Sequence, residues 1–345
     1  MITPGSVARR VSRAVILASV VAAALMTSGP FGARVSAQPP LEVLHQRLMP
    51  IFDMAGVVFT DADEATGRLV VGVMDRDIER SLRARIPGLG LQSQDVDVVE
   101  TDPIFFKATL QDQVRPVVAG VQIRFSNYVC SLGFNAIRDG VTGFVTASHC
   151  STKQGTVDGT QFYQPLNQVP AELIGTEIVD PSYQRKIGGC PPGKVCRSSD
   201  SNFSRGASGV GFTLGGIAKT TGPNNLSLDT AGSFTIVGEG GETPGDTVNK
   251  VGRTTGWGQG LLTRTCVDTG VSGSNIVLLC QNFVENPGAK IVEGGDSGSP
   301  VFKILSGDNV SLLGDLWGGN TDGTLFVYSP IAKVKQELGG VITTH

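Results

Sequence analysis

Gly294-Gly295-Asp296-Ser297-Gly298-Ser299-Pro300 sets one serine among three glycines, directly after an acid and three residues before a proline. Glycine reaches backbone conformations that a Cβ forbids, so a turn of this composition is able to aim two N–H groups at one point. A hydroxyl beside two converging donors is what acyl transfer requires: the oxygen attacks a carbonyl carbon and the donors hold the oxyanion that forms. Taken alone, the stretch reads equally well as a polar turn between two strands.

A serine nucleophile needs a base, normally histidine. The chain has three histidines. His45 lies near the start and His345 is the last residue, so His149 alone stands inside the long body of the chain. It falls in Gly143-Phe144-Val145-Thr146-Ala147-Ser148-His149-Cys150, an apolar run that ends in a small-residue turn and a cysteine.

These two segments, in this order and at this separation, resemble those of the chymotrypsin-like serine proteases, and most of all the bacterial alpha-lytic and streptogrisin type. The resemblance covers roughly residues 115 to 338. It implies an all-β fold of two antiparallel six-stranded β-barrels with a C-terminal helix. It also implies a site in the cleft between the barrels, with His149 and an acid from the first and Ser297 from the second. The activity implied is hydrolysis of peptide bonds in protein or peptide substrates through an acyl-enzyme, with no metal or organic cofactor.

Composition supports a strand-rich body. Charged residues make up 17% and glycine is abundant at 46 residues, which disfavours long helices and favours short strands joined by turns. Apolar alternating runs at Val121 to Phe125, Gly143 to Ala147, Ala207 to Leu214, Phe234 to Val237 and Leu312 to Trp317 are expected strands. Ser329 as N-cap and Pro330 at N1 open an expected helix that runs to about Leu338, before Gly339-Gly340. The net charge of −3, with no basic block in the body, gives no sign of a nucleic-acid partner.

Residues 1 to 37 read as a cleaved signal for export. Arg9, Arg10 and Arg13 precede an apolar run from Ala14 to Met26, and Val35-Ser36-Ala37 offers a small-residue cleavage site. The run is shorter than the roughly 20 residues of a spanning helix, so no stable membrane anchor is expected. The expected location is secreted, or periplasmic. The Arg9-Arg10 pair leaves twin-arginine export open beside the general route.

Residues 38 to 114 read as a small α+β unit. Ala55 to Phe59 and Arg68 to Met74 are expected strands, Asp77 to Arg85 a helix with Ile78, Leu82 and Ile86 on one face, and Asp95 to Glu100 a third strand. The bacterial relatives imply a pro-region here, and a retained accessory domain is the other reading. The main domain is then expected over 115 to 345, and a monomer is expected.

Six cysteines fall into three local pairs: Cys130 with Cys150, Cys190 with Cys196, and Cys266 with Cys280. Six cysteines allow 15 pairings, so nearest-neighbour pairing is one choice among many. The resemblance implies the bridge beside the histidine, Cys130–Cys150. Zinc is the rival, disfavoured because no Cys-x2-Cys pair occurs and no histidine other than His149 lies nearby.

The third catalytic group must be a carboxylate that orients the imidazole. Asp180, Asp200, Asp229 and Asp246 lie between His149 and Ser297, as does the order His, acid, Ser require. Asp200, in Cys196-Arg197-Ser198-Ser199-Asp200, matches the segment that carries the acid in the bacterial relatives. Lys250-Val251-Gly252-Arg253 resembles the segment whose Arg pairs with the acid before the nucleophile, which implies an Arg253–Asp296 pair. The oxyanion donors are expected to be the N–H groups of Gly295 and Ser297.

The substrate side chain would meet Ile291, Val292 and Phe326, and its backbone Leu316-Trp317-Gly318. Ile291 stands six residues before the nucleophile, where trypsin-like enzymes carry an Asp, so a neutral, apolar residue is favoured over Arg or Lys. Two rivals remain. One is a catalytically silent member that binds through the cleft. The other is an esterase, which usually shows Gly-x-Ser-x-Gly and a histidine after the serine, unlike the order here.

Overall fold

A computed structural model describes residues 39–104 and 107–343. The export segment expected over 1–37 lies outside the described residues, as does His345. Among the described residues no helix is long and apolar enough to cross a membrane. The chain divides into two compact units, with the boundary between Ile104 and Phe105.

The first unit runs α1 (Leu41–Gln46), β1 (Val57–Asp63), β2 (Arg68–Val73), α2 (Arg76–Arg85) and β3 (Val96–Glu100). β1 and β2 pair antiparallel, and β2 pairs parallel with β3, with α2 as the crossover that a parallel pair needs. Asp75 starts α2 by accepting the N–H groups of Asp77 and Ile78, both at 2.9 Å. Leu82 from α2 and Ile86 just beyond it close over Leu69, Val71, Val73 and Val96 to form this unit's own core. The periodicity gives no sign of α1, which has six residues and buries none of them.

The second unit carries the strands β4 (Val117–Ala119), β5 (Gln122–Phe125), β6 (Tyr128–Ser131), β7 (Phe134–Arg138), β8 (Val141–Ala147) and β9 (Gln161–Tyr163). They are followed by β10 (Leu173–Val179), β11 (Val195–Arg197), β12 (Ser201–Gly206), β13 (Phe212–Thr220) and β14 (Leu228–Glu239). The last are β15 (Thr247–Gly252), β16 (Gly256–Gly270), β17 (Ile276–Glu285), β18 (Pro300–Ser306), β19 (Asn309–Gly319) and β20 (Leu325–Pro330), and then α3 (Ile331–Leu338).

One sheet has seven strands in the order β6-β5-β9-β10-β12-β8-β7. The other has ten. Within it, β15, β16, β17, β20, β19 and β18 pair in sequence, and β18 returns to β15, so six strands form a ring. The expected pair of antiparallel six-stranded barrels is seen in part, and the pairing differs on two points. The seven-stranded sheet is an open path, and the ring is extended by β14, β13 and β4 on one side and β11 on the other. The pairing is also not purely antiparallel: β4 with β13, β11 with β17 and β14 with β19 are parallel.

Three further expectations change. Ala207 to Gly211 turns rather than extends, because Val210 N–H bonds back to Ala207 O and Gly209 takes φ +80°. The second compact unit reaches back past residue 115, the start expected for the main domain. Leu110 is 0% exposed in the main core, and its N–H and C=O bond Leu226 and Gln122. Ser329 does not cap α3, which begins at Ile331 with no side-chain cap. Its hydroxyl is engaged elsewhere, as described below.

Candidate active site

β8 and β12 bring the histidine and the acid together. They pair antiparallel with Ala147 opposite Ser201, so the end of β8 abuts the start of β12. Residues 144–147 of β8 are buried. The chain then turns through Ser148–Cys150, where Ser148 N–H bonds the Asp200 carbonyl at 2.8 Å. A disulfide from Cys150 to Cys130 ties this turn to β6. The other bridges are Cys190–Cys196 and Cys266–Cys280.

His149 Nδ1 is hydrogen-bonded to Asp200 Oδ2. The His149 side chain is 34% exposed and that of Asp200 only 1%. The other carboxylate oxygen, Oδ1, accepts Gln154 Nε2 at 2.9 Å and Tyr183 OH at 2.7 Å. With three donors on two oxygens, Asp200 stays ionised in a buried place. Burial raises its pKa, but the His149 charge and hydrogen bonds from His149 and Tyr183 outweigh this and lower it to about 2. Burial lowers the pKa of His149, and the Asp200 charge and hydrogen bond more than reverse that, so it is raised above its ordinary 6.5.

Around this pair lies a layer of groups that the sequence motifs do not reveal. Asp200 N–H donates to Ser329 Oγ at 3.0 Å, and Ser329 Oγ donates to Gln281 Oε1 at 2.9 Å. The same Gln281 oxygen accepts Trp317 Nε1 at 2.8 Å. One glutamine thus fixes both the Asp200 loop and the indole of β19. Asp180, a rival for the acid, accepts Ser148 Oγ at 2.7 Å and Arg197 Nη1 at 2.8 Å, and so braces the histidine's turn from behind. Asp229 caps Ala231 N–H on β14, and Asp246 pairs with Lys303 at 2.7 Å.

Ser297 sits half-buried in the turn before β18. Its carbonyl accepts Ser131 N–H at 2.8 Å and lies 3.8 Å from Cys150 Sγ, one residue from His149. Gly298 has φ +87°, and a Cβ there would stand 2.2 Å from Thr146 Oγ1, so the turn presses directly on β8. Gly295 has φ +96°. Among the described residues, neither Gly295 N–H nor Ser297 N–H has a hydrogen-bond partner. Ser297 Oγ makes no hydrogen bond to His149 or to any other described residue.

The acid before the serine has a different partner from the one expected. Asp296 and Lys250 are both 0% exposed and pair at 3.0 Å. Asp296 also accepts Thr254 N–H, Thr255 N–H, Thr255 Oγ1 and Glu293 N–H. Arg253 instead donates from Nε to Gln122 Oε1 at 2.7 Å, and its stem lies along Gly295. The reason is geometric. Gly252 backs directly onto Asp296, leaving the cation two residues earlier in β15 to reach it from within the core.

A cavity of about 670 Å³ opens beside His149 and Asp200. Trp317 and Gly318 line it, together with Leu278 and Phe283 of β17 and Leu325 and Val327 of β20. Ile291, Val292, Leu316 and Phe326 do not line it. They are 0–5% exposed and pack with Val248, Leu262 and Tyr328 inside the ring of strands. Alternation along β20 explains the split, since Phe326 and Tyr328 face inward and Leu325 and Val327 face the cavity.

No family model matches the chain, and no curated protein matches it. Solved structures do. Thermobifida fusca protease A is 24% identical, with a TM-score of 0.44, over 66% of this chain and 98% of that one. Cellulomonas bogoriensis chymotrypsin is 24% identical with a TM-score of 0.44, over 66% of this chain and 99% of its own. A glutamic-acid-specific serine protease is 18% identical with a TM-score of 0.46, over 64% of this chain and 96% of its own.

Proposed function

We propose that the chain is a secreted serine endopeptidase of the chymotrypsin-like type, with His149, Asp200 and Ser297 as its catalytic triad. The observation that carries this reading is the buried, three-donor Asp200 holding His149 Nδ1 next to a glycine turn with two unpartnered N–H groups. Asp200 fixes the tautomer with the proton on Nδ1, leaving Nε2 free as the base. Nε2 takes the Ser297 proton as Oγ bonds to the substrate carbonyl carbon. The oxyanion is held by the N–H groups of Gly295 and Ser297. The amine then leaves with the proton from His149, and water repeats the sequence to free the acid and Ser297.

Substrate enters as an extended strand. β19 pairs with β18 only as far as Asp315, so Trp317 to Gly319 are paired by β20 on one side alone. A peptide added along that edge would be held by main-chain hydrogen bonds and would offer side chains to the cavity. Its walls of Leu278, Phe283, Leu325 and Val327 favour an apolar residue. Three disulfides suit an oxidising compartment, which supports secretion. The first unit is then either a removed pro-region or a retained accessory domain.

A second reading, a silent binding protein on the same scaffold, is favoured by one observation: Ser297 Oγ and His149 are not hydrogen-bonded. Such contacts are often long before substrate binds. One experiment separates the two. The purified secreted protein is treated with a fluorophosphonate and the adduct is mapped by mass spectrometry. The endopeptidase reading expects labelling at Ser297 that is lost in His149→Ala and Asp200→Asn. A folded protein that stays unlabelled sinks it and leaves the silent binder.

A further inference from the structure

Residues 107–114 precede the stretch that resembles the proteases, yet they are built into the second unit. Ala108 O accepts Leu228 N–H at 2.8 Å, Leu110 N–H bonds Leu226 O at 3.1 Å, and Leu110 O accepts Gln122 N–H at 2.8 Å. Leu110 is 0% exposed in the core. Asp112 closes the turn by accepting Thr109 N–H at 2.7 Å, and its carbonyl accepts Gln164 Nε2 at 2.7 Å. A segment with this many fixed partners is a structural part of the catalytic unit rather than a linker.

A side-chain contact from this segment lands just past the end of β15, on the residue behind the oxyanion turn. Gln111 Nε2 donates to Arg253 O at 2.9 Å. Arg253 N–H donates to Ser131 Oγ at 2.9 Å, and that hydroxyl donates to Gly295 O at 2.9 Å. The next residue, Thr254, donates from Oγ1 to Gly294 O at 2.8 Å. The Arg253 stem is also the surface against which Gly295 rests. Gln122, whose N–H is held by Leu110, holds Arg253 Nε.

We propose that residues 108–112 are a latch on the oxyanion turn, and that Gln111 is its positioning residue. Gln111 touches no reacting atom. It fixes Arg253 and Thr254, whose neighbours hold the turn: Thr254 Oγ1 donates to Gly294 O, and Ser131 Oγ, bonded to Arg253 N–H, donates to Gly295 O, which together aim the Gly295 N–H. The latch rests on the reading of Ser297 as nucleophile for its effect on rate, but not for its effect on the turn itself. An enzyme cut anywhere after Asp112 would lose this support, so a released catalytic unit must retain residue 108 onward.

The test uses the full chain with Gln111→Ala and Gln111→Leu, the second keeping the side chain's bulk without its donor. Amide hydrogen exchange over 293–299 is expected to quicken in both, whether or not the protein is a protease. In the active protein, kcat is expected to fall about 10-fold with KM within about twofold, less than the roughly 10²–10³-fold typical of deleting an oxyanion donor itself. Unchanged exchange over 293–299 in a folded variant overturns the latch, as does a loss confined to KM. A wild type that leaves Ser297 unlabelled by fluorophosphonate refutes the protease reading alone, because exchange still reports on the latch.

Discussion

At Lys250, in β15, a positive charge is 0% exposed against Asp296 of the glycine turn. Burial lowers the lysine's pKa and the Asp296 charge acts against that. Lys250→Met would strand Asp296 without a cation, and breaking a buried pair in this way costs about 3–5 kcal/mol. Arg253→Gln loses hydrogen bonds worth about 1 kcal/mol each. Urea midpoints of the two variants check the assignment, and a larger loss in Arg253→Gln would reverse it. His149 makes a second residue-scale prediction. In the proposed mechanism its neutral form is the base, and its pKa is raised, so kcat/KM is expected to fall on acidification from a pH above 6.5. A raised pKa stabilises the fold below the unfolded value, and that stability is lost as pH rises through the folded one. Activity should therefore climb across the same window in which the His149–Asp200 contribution to stability fades. Asp200→Asn removes the raising partner, so the His149 titration followed by imidazole NMR should move to lower pH; an unmoved titration would refute the coupling. The His149–Asp200 contact was legible because each residue lies in a short segment that resembles those of the bacterial proteases. Tyr183, Gln154, Gln281 and Ser329 were not, because each arrives from a remote strand or loop and no spacing ties it to Asp200. Lys250 was missed for a third reason: β15 is buried along most of its length, and sequence alone does not say which of two cations faces the acid.

The apolar wall of the cavity opposite Trp317 and Gly318 of β19 is made by the β16–β17 hairpin and the outward face of β20. Thr269 to Ser272 lie at the hairpin's tip and Leu278 and Phe283 on its return strand, opposite Leu325 and Val327. Phe283 is half-buried, so trimming it opens space without hollowing a core. Phe283→Ala is expected to lower kcat/KM most on peptides with a large apolar residue and least on those with small ones, with a difference of about 10-fold or more for the 1–3 kcal/mol that a pocket discriminates. Profiling on a peptide library reads this directly; equal losses across all peptides would mean that the cavity does not choose the substrate. The strands at β5, β8 and β19 could be read from apolar runs, but the faces could not. A shift of one residue in β20 would put Phe326 at the cavity in place of Val327, and only the pairing of β20 with both β17 and β19 fixes the register. Ala207 to Gly211 failed for the opposite reason: its composition allows a strand, and the Ala207–Val210 turn overrides it.

Across the molecule, covalent ties are confined to the second unit, and so are both tryptophans, Trp257 and Trp317. The first unit rests on its own small core of Leu69, Val71, Val73, Leu82, Ile86 and Val96, with no cysteine. Its strands and α2 were legible because a helical face and two alternating runs are local signals, whereas the boundary at Ile104 was not. The segment after it is too short to show periodicity, and only the long-range bonds of Leu110 assign it to the second unit. Tryptophan fluorescence therefore reports the melting of the second unit alone. The Cys130–Cys150 bridge joins residues 20 apart. Closing a loop of that size stabilises by about 3 kcal/mol. In a unit of this size each kcal/mol moves the midpoint by roughly 2–4 °C. Replacing both cysteines by alanine should thus lower the fluorescence-detected Tm by about 6–12 °C. The same bridge holds the turn that carries His149 against β6, so fluorophosphonate labelling should slow well below that lowered midpoint. Labelling that persists unchanged up to the new Tm would show that β8 and the Ser148–Asp200 bond position the histidine without help from the disulfide.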